Sequence, residues 1–162
     1  MGTKSLRWSL PLAALALGAA AAPQIVFADG AWAALDRGTR CEAGSRAVRV
    51  TSERGEQASA AILFARGDGR QGVLALRLGK SPRSDATVLL TVRDQPFLLV
   101  SRSSFAWSRG AAQETAIMAA MRGGGAMKVE AGAASGDRFV DRYSLDGAAG
   151  AIDAAAACAA RR

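Results

Sequence analysis

The chain has 162 residues, with 21 Lys and Arg against 14 Asp and Glu and a net charge of +7. It contains no His, no Asn and two Cys. The missing histidine excludes Ser-His-Asp and Cys-His nucleophile systems, His-ligated zinc and an imidazole switch near neutral pH, and the missing asparagine excludes an N-glycosylation acceptor.

Residues 1–8 carry Lys4 and Arg7 and no acid, and residues 9–22 follow as fourteen uncharged residues rich in Leu and Ala. A positive start, a short apolar run and then small residues form the pattern of a secretory signal peptide. Spanning a bilayer would need a run of ~20 apolar residues. Two small-x-small patterns offer cleavage, Ala20-x-Ala22 and Val26-x-Ala28. The second is preferred, because the first would leave Pro23 as the new N-terminus. The expectation is a leader over residues 1–28 and one exported domain over residues 29–162. Loss of Lys4 and Arg7 lowers the net charge from +7 to +5. The mature chain is expected in the periplasm or secreted, with no stable membrane span.

Residues 32–36 and 39–44 are short, moderately apolar pieces on either side of a turn-like Arg37-Gly38. Cys41 and Cys158 form an even pair in a chain bound for an oxidising compartment, so they are expected to bridge. The bridge would close a loop of 117 residues. A reactive thiol is the weaker reading, since no His stands by to activate it, although Arg40 adjoins Cys41.

Apolar runs then follow closely over residues 57–65, 73–78, 86–93 and 96–100. Leu74, Leu76 and Leu78 alternate with Val73, Ala75 and Arg77, and Val88, Leu90 and Val92 alternate with their neighbours. This period of two is the half-buried strand pattern. Turn chemistry separates the runs: Arg66-Gly67-Asp68-Gly69, the segment around Pro82, and Asp94-Gln95-Pro96. Such short breaks imply antiparallel hairpins, because parallel crossovers need a dozen residues or more. Residues 111–122 change period, with Glu114, Ile117, Met118 and Met121 on one helical face and glycines after them. Strands over 127–131 and 138–144 come next. An alanine-rich helix from about 147 to 160 closes the chain, with Asp146 as a candidate N-cap. The expected fold is mainly β: an antiparallel β-sandwich or partly open barrel with one inserted helix and a C-terminal Ala-rich helix.

The leader, the Trp before the first Cys, the Ile117-Met118-Ala119-Ala120-Met121-Arg122 run, Met127-Lys128-Val129 and Asp141-Arg142-Tyr143-Ser144-Leu145 ahead of Gly147 and the alanine helix form a combination. In this combination the chain resembles the invasion-associated locus B family, small exported proteins found mostly in alphaproteobacteria. The resemblance spans most of the chain after the leader and is sharpest over residues 115–158. It implies an envelope or secreted protein without a known active site. Members often carry a further cysteine pair in mid-domain, and this chain has no Cys between positions 41 and 158.

Three motifs invite a chemical reading. Gly67-Asp68-Gly69-Arg70-Gln71-Gly72 matches G-x-G-x-x-G, but a dinucleotide fingerprint needs a helix after it, and here a strand is expected. Arg66-Gly67-Asp68 is an adhesion-receptor tripeptide that turn composition also produces by chance. Asp141 and Tyr143 share one strand face with Arg142 on the other, and an inward Asp141 needs a partner. The spacing of Glu130 and Asp141 does not support a glycosidase pair. No run of five like charges occurs, which argues against nucleic acid as a partner.

The functional expectation is a non-catalytic protein without cofactor or metal that works by protein or cell-surface interaction. Its partner would be an unidentified envelope or host-surface protein, with a polyanionic envelope glycan as a second candidate. Arg102, Trp107 and Arg109, in the loop before the first helix, are the candidate contact group. The alternative is a small periplasmic hydrolase using carboxylates or a serine activated without histidine.

Overall fold

The computed structural model describes residues 22–49, 57–67 and 71–161. Its strands are β1 Gln24–Asp29, β2 Trp32–Asp36, β3 Arg40–Arg46, β4 Ser59–Ala65, β5 Val73–Arg77, β6 Val88–Val92, β7 Gln95–Arg102 and β8 Phe105–Trp107. Helix α1 Ala111–Arg122, strands β9 Ala126–Gly132 and β10 Arg138–Ser144, and helix α2 Ala148–Ala160 complete the chain order. The ten strands form one sheet in the order β1-β2-β3-β4-β5-β8-β7-β6-β9-β10, and every pairing is antiparallel. The mainly β class, the inserted helix and the C-terminal helix are as expected.

The sheet curls without closing into a barrel. Its ends approach where the Val48 N–H donates to the Arg142 carbonyl at 2.7 Å and the Trp32 indole Nε1 donates to the Ser144 carbonyl at 2.8 Å. The concave side holds the core. Alternation sends Ile62, Leu74, Leu76, Leu90, Val129 and Tyr143 inward, and all are buried. Helix α2 lies on this side across β1 to β4, burying Ala148, Ala151, Ile152, Ala155, Cys158 and Ala159. Small side chains let it sit close to the strands.

Two elements were not foreseen. Strand β1 occupies residues that the expected leader includes, while residues 1–21 lie outside the described residues. Strand β8 and the end of β7 occupy what reads as a loop. Their hairpin turns at Ser103-Ser104, where Ser103 takes a φ of 53°, so the left-handed residue that glycine usually announces is here a serine. The start of α2 also differs: its N-cap is Gly147 and not Asp146, with φ 81° and no side-chain cap. The Cβ of any other residue at 147 would run into the Asp29 carbonyl.

Cys41 of β3 and Cys158 of α2 are bridged, with Cα atoms 6.0 Å apart. Beside them the Arg66 guanidinium pairs with Asp36. It also donates to the carbonyls of Gly38 at 2.9 Å and of Cys158 and Arg161 at 3.1 Å. A cation at carbonyls ending a helix is electrostatically favourable. Arg66 therefore ties two chain segments, the β2–β3 turn and the end of α2, to the end of β4 at the disulfide.

Candidate functional site

The convex face of β5, β8 and β7 is the surface least explained by folding. Register sets Ala75, Trp107 and Val100 side by side, and Arg77, Phe105 and Arg102 in the next row. Paired residues share a face, so these side chains point one way while Leu74, Leu76, Leu99 and Ala106 point into the core. Val73 and Leu98 extend the outward set by alternation along their strands. Phe105 is 54% exposed, Leu98 46%, Val73 40%, Val100 39% and Trp107 36%. Single exposed apolar residues are ordinary, but a contiguous group marks an interaction surface.

The structure puts Arg102 and Trp107 on this one face, with Arg109 exposed at its margin. The Arg109 N–H donates to Gln113 Oε1 at 2.7 Å, and Gln113 Nε2 donates to the Leu98 carbonyl at 3.0 Å. Helix α1 thus fixes that margin to β7. Trp107 is a strand residue, and in contrast to Trp32 it does not belong to the core. Sequence reasoning missed Phe105, Leu98, Val100 and Val73. The available signal was Phe97-Leu98-Leu99-Val100, an unbroken apolar run in an antiparallel hairpin. One face of such a strand suffices for a core, so the other face is left apolar in solvent.

The remaining chemical candidates resolve as supporting structure. Opposite Glu130 in the ladder stands Val140, and opposite Asp141 stands Val129. The two carboxylates therefore occupy opposite faces of the sheet and form no pair. Glu130 meets Lys128 at 2.6 Å and Arg138 at 2.8 Å. Buried Asp141 accepts the Gly79 N–H at 2.9 Å. Burial, and then the Asp141 charge, push the Tyr143 phenol above its ordinary range. Ser108 donates to Glu114 at 2.9 Å, and Gln71 donates to the same carboxylate at 3.1 Å. Ser108 and Glu114 are both buried, which makes them an anchor for the β8–α1 junction and keeps that serine from solvent.

Gly67 donates its N–H to the Ala159 carbonyl at 3.1 Å, and β5 follows Gly72. The glycine motif therefore closes a helix end and leads into a strand, with Asp68, Gly69 and Arg70 outside the described residues. Among the described residues, the grouping of metal-type ligands is Asp36 with Cys41 and Cys158. Its sulfurs are in the disulfide and its carboxylate is paired with Arg66. A half-open groove of about 700 Å³ lies at the seam of the sheet, lined by Val48, Arg49, Val140 and Arg142 among others. Several other cations are held by acids: Arg37 and Arg40 by Glu42, Arg122 by Asp153.

In comparisons with known proteins, no family model matches the chain, and no curated protein or solved structure matches it.

Proposed function

We propose that the chain is an exported, non-catalytic interaction protein of the periplasm or cell surface, of the kind the likeness to invasion-associated locus B proteins implies. Its binding surface is the convex face of β5, β8 and β7. The observation that carries this reading is the paired register of Trp107, Phe105 and Val100 in solvent, with Arg102 in the same rows and Arg109 at the margin. Aromatic and Arg side chains are enriched among residues that dominate binding energy at protein interfaces. A complementary partner presents an apolar centre with acids around it.

Export is supported by the buried disulfide, a bond that persists in oxidising compartments. Among the described residues, no helix is long and apolar enough to cross a membrane.

A photoreactive residue at Phe105 of the exported protein should cross-link one envelope or host-surface protein, and the same residue at Ser135 should not. Trp107→Ala should weaken that complex at least about tenfold, on the order of 1.4 kcal/mol. Equal cross-linking from both positions, or binding unchanged by Trp107→Ala, would sink the assignment. A polyanionic glycan held by scattered cations predicts the contrary pattern: steep loss between low and physiological salt with no effect of Trp107.

A further inference from the structure

We infer that the leader ends at Ala21, so that the mature chain begins at Ala22 and keeps strand β1. This rests on the export reading above. The Val26-x-Ala28 pattern places cleavage inside a strand that the rest of the fold is shaped to receive. Strand β1 pairs with β2 from Gln24 opposite Asp36 to Asp29 opposite Trp32. Phe27 packs against α2 at Gly150, where an added Cβ would lie 2.6 Å from the Phe27 ring. The Asp29 carbonyl fills the space beside Gly147, and the Ala31 N–H donates to the Asp146 carbonyl at 3.0 Å.

Cutting after Ala28 would remove most of β1, uncover Gly150 and expose the edge of β2. An unpaired strand edge invites pairing with other chains. Of the small-x-small patterns ahead of the strand, the two nearest to it are Ala19-x-Ala21 and Ala20-x-Ala22. The second sets Pro23 directly after the scissile bond, where a fixed φ and a missing N–H obstruct extended binding to a peptidase. The first sets Ala22 there. In the reaction a signal peptidase adds water across the Ala21–Ala22 amide. The C–N bond breaks, leaving a carboxylate on Ala21 and an ammonium on Ala22.

The test is export of the full chain in a bacterial host, followed by intact mass and N-terminal sequencing of each cell fraction. The expected product is periplasmic and begins at Ala22. A periplasmic product beginning at Pro23 or Asp29 overturns the cleavage site and leaves export standing. An uncleaved chain beginning at Met1, in cytosol or membrane, overturns the cleavage site, and its cytosolic form overturns export as well. Ala21→Leu should abolish the Ala22 product, whereas Ala28→Leu should leave its N-terminus unchanged. Loss of processing in Ala28→Leu alone overturns the inference.

Discussion

A single row of side chains crosses the convex face from Ala33 through Gly44, Ala61 and Ala75 to Trp107 and Val100. At its β2–β4 end the row is small, and in the neighbouring row Glu42 sits under Arg37 and Arg40. At its β8–β7 end the row is aromatic and aliphatic and lies in solvent. The concave side of the first region is sealed by α2 and tied by the disulfide. Along this row one half of the sheet is small and the other half displays bulky apolar residues, whereas the neighbouring row keeps Leu35 and Leu63 half-buried and exposes Ile25 at the edge strand. The β8–β7 end of the row is the basis of the proposed binding surface.

The two described tryptophans give the sharpest way to break this comparison. Trp32 is 2% exposed and donates its indole N–H to the Ser144 carbonyl. Trp32→Ala should cost about 3–5 kcal/mol by urea denaturation, since it leaves a large cavity and an orphaned carbonyl. Trp107→Ala should cost clearly less, about 1–2 kcal/mol, because the residue is 36% exposed and its truncation opens no enclosed cavity. Similar losses for both would make the β8–β7 face part of the fold's own packing and remove the case for a binding surface.

Much of this architecture is legible in the sequence, and the failures have local causes. The alternation of Leu74, Leu76 and Leu78 and of Val88, Leu90 and Val92 marks strands, α1 falls where the period changes, and α2 falls where alanine dominates. Strand β1 is hidden because Gln24–Asp29 reads equally well as the end of a leader. Strand β8 is hidden because three residues are too few for a period and Ser103 announces no turn. The second omission conceals the site, since Trp107 read as a loop residue has no cross-strand neighbours. Arg102 and Trp107 are legible as candidate contact residues, but Phe105 and Val100 join them only through register, which sequence does not set without the turn.

The disulfide end offers the next test. Removing the bridge with Cys41→Ala and Cys158→Ala should cost about 2–5 kcal/mol, the usual range for a native bridge in a small secreted domain. Its location predicts more than the size. Hydrogen exchange should quicken first in β3 and α2, which the bridge joins, and in β1 and β2, on which α2 packs, and later in β5, β8 and β7. Uniform quickening would mean that the two regions open as one unit and are not energetically distinct.

The smallest expected effect concerns acid. The Gly38 N–H, and after it the Arg66 guanidinium, hold the Asp36 carboxyl below its ordinary 3.8. On the other side of the molecule, Lys128, and then Arg138, hold Glu130 below 4.5. A carboxyl held below its unfolded value adds stability that is complete above that value and is lost as pH falls through the folded one. Both groups should therefore destabilise the fold on acidification below about pH 4, Asp36 at the disulfide end and Glu130 near the far edge strand. Because the bridge still constrains Cys41 and Cys158 when Asp36 is protonated, the loss there should be modest and local. Asp36→Asn should flatten the stability profile below about pH 4 relative to the parent and leave the Glu130 contribution in place. Superposable acid profiles for parent and variant would show that the Arg66 clamp holds the chain through its carbonyl contacts alone.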